Sequence, residues 1–361
     1  MAKEKDTTKI KTKSKSGIIK IIGWLCVIGI LVGGTFCYYA YQKFYTPNVI
    51  IDHQNGQSYL FVHTGSSFEQ VLGSLESANL LKNSKSFEFM AAKMNYPDHI
   101  KPGKYRLKNG MSNRELINML RAGRQIPVKV VFNNVRFKKD VVSDISKQIE
   151  ADSVSLMRLL NNRSFLSQYG LNPQTVMGVF IPNTYEFYWN TSADEFMVRM
   201  FKEYKHFWNE SRISKCESIG LNQTQVSTLA SIIEEETQKN DEKRTMAGVY
   251  INRLHKGMLL QADPTVRFAY GDFSIKRILN KYKEIDSPYN TYKYLNLPPG
   301  PICIPSISSL DAVLSYQRSE YLYFCAKEDF SGHHNFARTL EQHNQNAQRY
   351  QKALTRAGIM K

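Results

Sequence analysis

Three consecutive glutamates, Glu234, Glu235 and Glu236, close a helical pattern that opens at Asn222. Asn222, with Gln225 three residues on, has the form of a capping box. Val226, Leu229, Ile232 and Ile233 follow at helical spacing. Glu236 comes three residues after Ile233, so it projects from the apolar stripe. Glu234 and Glu235 fall to either side of it, because each residue turns the helix by about 100°. A carboxyl on a buried stripe is costly as an anion, so its pKa rises. A glutamic acid that keeps its proton near neutral pH is a general acid. The competing reading ends the helix at this point and leaves all three carboxylates in water.

Other residues that could take part in chemistry come later in the chain. Gln261, Asp263 and Thr265 lie in Gln-Ala-Asp-Pro-Thr. Asn290, Thr291 and Tyr292 precede Leu297-Pro-Pro-Gly300. His334 and His343 come last. Asp263, before Pro264, reads as a turn and positioning residue in preference to a second acid. The two histidines have the chemistry of ligands or bases, but no third ligand is spaced for zinc. Five cysteines, two of them in an apolar stretch, show no repeated spacing. Neither a disulfide framework nor a metal site is expected.

The elements that must position these groups can be read along the chain. A lysine-rich tail, residues 1–17, cannot build a core. Residues 18–41 form an expected transmembrane helix, charge-free from Ile21 to Tyr41. The run ends in aromatic residues, Phe36 to Tyr41, and not in the small residues of a signal-peptide cleavage site. Lysines before the span place the N-terminus in the cytoplasm and everything after it outside the cytoplasmic (inner) membrane, in periplasmic position. A linker, residues 42–49, leads to a small α+β module at 50–126. In it Tyr59–Val62 and Lys104–Leu107 are expected strands, and Ser67 and Ser112 cap helices. Pro127 marks the boundary of a larger domain, 127–355, with a strand at 128–132 and helical sequence at 140–172. Ser192 caps a helix, Asp241 opens another that Gly257 stops, Tyr321–Phe324 is a strand, and a helix closes the chain. The expected class is α+β: one membrane helix, a small module and a larger mixed domain. The net charge of +16 fits an anionic lipid or an acidic polymer such as the cell wall. Zinc-finger spacing and RNA-binding signatures are missing, which argues against nucleic acid.

The motifs together, in this order, resemble the YceG-like endolytic murein transglycosylases. The matches are Leu229 to Thr237, Ile251 to Thr265, Asn290 to Gly300, and Pro182 to Tyr185. The chain departs from the family wording at Met177-Gly178, at Ile181-Pro182-Asn183, and at Asn296, where the family usually has glycine. Asparagine tolerates a left-handed backbone, so that last turn can survive. The resemblance implies endolytic cleavage of the β-1,4 bond between N-acetylmuramic acid and N-acetylglucosamine, leaving a 1,6-anhydro end. One acid/base, Glu236, would serve both proton transfers, with no metal or cofactor and without the paired carboxylates of ordinary glycosidases. Gln261, Asp263, Thr265, Asn290, Thr291 and Tyr292 would line the substrate site. The small module resembles a LysM domain, which in its family context contacts peptidoglycan. Partners would be glycan strands and, near the membrane, peptidoglycan synthases. Two alternatives stand beside this reading. One is a non-catalytic peptidoglycan-binding scaffold, and the other is a muramidase-like hydrolase using Asp263 to activate water.

Overall fold

The computed structural model describes residues 15–51, 57–132, 135–275 and 277–359. Most of the lysine-rich tail lies outside them. The chain divides into two compact units, Met1–Ile126 and Pro127–Lys361. The class is mixed α+β, as expected, with helices predominating and three two-stranded antiparallel ladders among the described residues.

The first unit opens with α1, Lys15–Tyr45, which is apolar and exposed through its middle. A segment from Lys20 to Tyr45 is long and apolar enough to cross a membrane. The helix runs past the expected end of the span, and residues 46–49 are tied into the fold and do not form a free linker. Pro47 pairs with Ser112 and Val49 with Leu81, while the Asn48 side chain donates to Asn113 Oδ1 at 2.7 Å. The chain then forms β1 (Gln57–Val62), α2 (Phe68–Ser77), α3 (Ser84–Lys93), β2 (Gly103–Lys108) and α4 (Asn113–Ala122). Ser67 and Ser112 make the expected capping boxes. β1 and β2 pair antiparallel, with Leu60 opposite Tyr105 and Val62 opposite Gly103. Their alternating inward residues join Val71, Leu75, Phe87, Met90, Tyr96, Leu116 and Leu120 in a closed core. Helix α3 is not evident in the sequence, because its apolar residues Phe87, Met90 and Ala91 sit among serines and lysines; Asn83 caps it by accepting the Ser86 N–H.

The second unit begins with β3 (Pro127–Val131), which pairs antiparallel with β4 (Thr184–Tyr188). Between them lie α5 (Lys138–Ser146), α6 (Ser153–Asn161) and α7 (Arg163–Ser167). The helical stretch expected over 140–172 is thus cut in three. The side-chain oxygens of Asp152 and Asn162 accept backbone N–H groups and restart the helix each time. Then come α8 (Ala193–Phe207), α9 (Glu210–Ile219), α10 (Gln223–Glu236), α11 (Lys243–His255), α12 (Asp263–Tyr270) and α13 (Ile307–Leu314). β5 (Tyr323–Ala326) pairs with β6 (His334–Ala337), and α14 (Leu340–Arg356) ends the unit. Helix α10 is the centre of this unit. It packs against α9, α11, α12 and α13, and its residues from Val226 to Glu234 are all buried. Leu297-Pro-Pro-Gly300 passes close to the core, and a Cβ at Gly300 would meet the Gln174 carbonyl oxygen at 2.0 Å. Asn296 takes the left-handed backbone with φ 71°, the conformation its side chain allows in place of glycine.

Candidate active site

The central helix is fixed before its glutamates arrive. Asn222 and Gln225 form the capping box expected from their spacing, with Oδ1 and Oε1 accepting at 2.9 and 2.8 Å. Ser231, fully buried, accepts the Ile302 N–H at 3.0 Å and donates to the Thr228 carbonyl at 2.7 Å. The helix is therefore covered on more than one side, and this changes the environment of all three carboxylates.

Glu234 is the most buried of the three, although the stripe pattern sets it to one side. Its Oε2 accepts from Lys243 Nζ at 3.1 Å and from the Ser309 hydroxyl at 2.6 Å, and Ser306 donates to the same oxygen. Burial works to raise its pKa, but Ser306, Ser309 and Lys243 outweigh it and keep the group below the ordinary carboxylate value. It is a buried anion whose charge is matched by its neighbours. Glu235 takes Arg136 Nη2 on both oxygens, at 3.0 and 2.8 Å. The guanidinium lies 4.5 Å above the Phe273 ring.

Glu236 differs. It is half-buried, and its Oε1 accepts a hydrogen bond from the Tyr250 hydroxyl at 2.8 Å. Burial pushes its pKa up to about 7, against the pull of the Tyr250 hydroxyl. Asp263 adds to the rise by like charge, and Arg267 and Arg253 oppose it. A carboxyl with this pKa is protonated in a large fraction of molecules at neutral pH and can also act as a base.

Asp263 opens α12, where the helix dipole favours an anion. Its Oδ1 accepts from the Tyr292 hydroxyl at 2.6 Å. Asp263 and Tyr292 thus come together beside Glu236. Tyr250 escapes a reading of the sequence because it sits in the apolar repeat of α11 and reads as core. It is indeed buried, with its ring 5.7 Å from Phe324 in an edge-on contact, but its hydroxyl faces the carboxyl. The signal that could find it is that a buried tyrosine must place its hydroxyl on a partner.

The remaining expected substrate ligands are placed differently. Thr265, Asn290 and Thr291 are buried and their side chains are used inside the protein. Thr291 Oγ1 accepts the Ala262 N–H at 2.9 Å and lies 2.9 Å from Thr265 Oγ1, which donates to the Ala262 carbonyl at 2.6 Å. Asn290 Nδ2 donates to the Lys283 and Ile285 carbonyls, both at 2.8 Å, and its Oδ1 accepts the Tyr292 N–H at 3.0 Å. These three weld the Gln-Ala-Asp-Pro-Thr loop to the Asn-Thr-Tyr loop, so that Asp263 and Tyr292 keep their positions. Gln261 is exposed, with a left-handed φ of 52°, and its backbone N–H donates to the Thr291 carbonyl at 3.0 Å. Its side chain stays exposed, with Oε1 accepting from Arg253 Nη1 at 3.4 Å.

The histidines serve the frame. His334 Nδ1 lies 2.6 Å from Glu242 Oε1, and the same oxygen accepts the Thr237 hydroxyl at 2.9 Å. Glu242 therefore ties the residue after Glu236 to β6. His343 stacks on Tyr323, ring centroids 5.4 Å apart, and burial holds its pKa below the ordinary value. Among the described residues no three His, Cys, Asp or Glu side chains gather to hold a metal ion.

Comparison with known proteins adds to this geometry. The model of the YceG-like family matches residues 60–349. A Bacillus subtilis protein named endolytic murein transglycosylase is 30% identical over 305 residues, covering 80% of this chain and 83% of that one. A Streptococcus pneumoniae protein of the same name is 27% identical, and the match covers 90% of this chain but 64% of the longer relative. The crystal structure of a yceG-like protein from Listeria monocytogenes superposes with a TM-score of 0.54 at 28% identity, over 81% of this chain and 99% of that chain.

Proposed function

The chain belongs to the YceG-like family, and from that premise we propose that it is a lytic transglycosylase that cuts within peptidoglycan glycan strands, using Glu236 as its single acid/base. The observation that carries the reading is the state of Glu236: a carboxyl raised to about 7, held by the Tyr250 hydroxyl, next to a second carboxylate that stays engaged with Tyr292.

The steps follow from that arrangement. Protonated Glu236 gives its proton to the oxygen bridging N-acetylmuramic acid C1 and N-acetylglucosamine C4. The C1–O bond breaks, the N-acetylglucosamine leaves with a hydroxyl, and positive charge develops at C1. Glu236, now an anion, accepts the proton of the muramic C6 hydroxyl as O6 bonds to C1 and closes the 1,6-anhydro ring. The proton count returns to its start and no water is consumed. One residue can perform both transfers because its pKa lies near the working pH. Asp263, held by Tyr292, places a negative charge where it favours the cationic transition state, and Gln261 presents an amide to the sugar's hydroxyl or acetamido groups. Thr265, Asn290 and Thr291 hold the two loops in register.

The apolar α1 supports a single-pass membrane protein, and the lysines before it support an N-terminus in the cytoplasm with both units outside. A tethered Glu236 reaches only glycan near the membrane, which suits nascent strands and makes synthases natural neighbours. The small unit is the candidate for LysM-like contact with glycan.

The test is digestion of purified glycan strands with mass spectrometry of the ends. Anhydro-muramic ends are expected. Reducing ends would replace this reading by hydrolysis with Asp263 activating water, and intact strands would leave a binding scaffold.

A further inference from the structure

The junction between the membrane helix and the small unit has the composition and the level of a headgroup-binding surface. The charge-free run from Ile21 to Tyr41 rises about 31 Å, close to the hydrocarbon thickness of a bilayer, about 30 Å. The turn of α1 beyond Tyr41 therefore stands in the headgroup layer, and Tyr39 lies at its inner edge. Lys43 Nζ lies 5.2 Å from the Tyr39 ring and 5.7 Å from the Phe89 ring of α3. Lys93 Nζ lies 5.7 Å from that same Phe89 ring. One lysine thus spans from the helix to a side chain of the folded unit, which places Phe89 at the level of Tyr39 and Lys43. Phe89 is 47% exposed, whereas Phe87, two residues before it on the same helix, is fully buried in the core. Arg114 of α4 stacks over Tyr45 at 5.2 Å and donates to its hydroxyl.

The junction is also stiff. α1 packs on α3 and α4, and Phe44 joins the core of the unit. Asn113, buried, donates to the Lys43 carbonyl at 3.2 Å and to the Ser86 hydroxyl at 3.0 Å, and accepts from Asn48 at 2.7 Å. The unit therefore cannot swing away from the end of the helix without breaking a buried network.

We propose that the face formed by Tyr39, Lys43, Tyr45, Phe89, Lys93 and Arg114 is seated in the membrane headgroup layer and binds the phosphates of anionic phospholipids. Aromatic rings with a polar edge belong at that depth, and lysine and arginine beside them attract negative lipid. The proposal rests on α1 spanning a membrane and is independent of the reaction at Glu236.

Full-length protein carrying p-benzoylphenylalanine in place of Phe89 tests it, in nanodiscs of phosphatidylcholine alone or mixed with phosphatidylglycerol. The same photoprobe in place of Tyr39 marks the membrane, and in place of Tyr59, on the outward face of β1, marks solvent. After irradiation, mass spectrometry is expected to find phospholipid adducts at positions 39 and 89 and few at 59. At position 89 phosphatidylglycerol should be enriched over its share by about fivefold for each lysine engaged. Lys43→Gln, Lys93→Gln and Arg114→Gln together should return the adducts to the bulk lipid ratio while leaving glycan cleavage unchanged. Cross-links at position 89 to protein, lipid adducts no more frequent there than at 59, or an anionic preference that survives the three substitutions would each overturn the proposal.

Discussion

Replacing Tyr250 by phenylalanine isolates the hydrogen bond that opposes burial at Glu236. The Tyr250 ring is buried against Phe324, so phenylalanine fills the same space and the fold should persist. The substitution removes one hydrogen bond, the 2.8 Å contact to Oε1. That bond favours the carboxylate, so its loss raises a pKa that already stands at about 7. A hydrogen bond to a charged group contributes about 1.5–3 kcal/mol, and one pKa unit is about 1.4 kcal/mol, so the expected rise is about one to two units. The general acid works only when protonated, so activity falls as pH rises through this pKa. The alkaline limb of the pH–rate profile for anhydro-end formation should therefore move up by about one to two units in Tyr250→Phe. The maximal rate should fall by about tenfold or more, because a weaker acid is also less well aimed. An alkaline limb that stays in place, or that moves down, would refute the assignment of Glu236 as the acid and Tyr250 as the group that tunes it.

Other expectations concern the same site and its frame. Glu236→Gln should abolish cleavage, a loss of several orders of magnitude in end formation, with the protein still folded. The same variant should be the more stable protein at alkaline pH. A folded-state pKa of about 7 against 4.5 unfolded means that ionisation costs native stability as pH rises through that window. The melting difference should be near zero at pH 4 and grow towards about 3 kcal/mol above pH 7, read by thermal denaturation at both pH values. Lys243→Met should destabilise by about 3–5 kcal/mol in denaturant unfolding, because it leaves the buried Glu234 anion without its cation. Thr291→Val should cost about 1–3 kcal/mol by leaving the buried Ala262 N–H unpaired, and should lower the turnover rate by loosening Asp263. Protease added outside spheroplasts should digest both units and spare the N-terminal tail.

The parts of the fold written in local chemistry can be read from the chain. Ser67, Ser112, Ser192 and Asn222 each announce a helix through a glutamine or glutamate three residues later, and all four make capping boxes. The ladder of β1 and β2 is visible as two alternating runs. The illegible parts depend on partners far along the chain. β6 is four residues of ordinary composition, and it becomes a strand by pairing with β5 and by the grip of Glu242 on His334. The expected linker at 42–49 is threaded into the small unit by Asn48 and Asn113, two residues whose polarity suggests a loop.

The three glutamates show how far periodicity reaches. The spacing from Leu229 and Ile233 separates Glu236 from its neighbours, and burial does raise its pKa while that of Glu234 is lowered. The apolar stripe is only part of the cause. A single stripe predicts that the residue on it is the least exposed, yet α10 is enclosed by α11 and α13 and Glu234 is less exposed to solvent than Glu236. Low exposure alone does not raise a carboxyl's pKa. Glu234 is shielded from solvent but meets Lys243 and the hydroxyls of Ser306 and Ser309, so its charge is matched. Glu235 is matched by Arg136. Glu236 has burial, one phenol donor and a neighbouring carboxylate, and the charges of Arg267 and Arg253 oppose the rise without cancelling it, so its charge is left partly uncompensated. A run of like residues on one helix end thus acquires three different electrostatic environments from the partners each one meets. Those partners come from positions 136, 243, 250, 263, 306 and 309, which no window along the sequence could have joined.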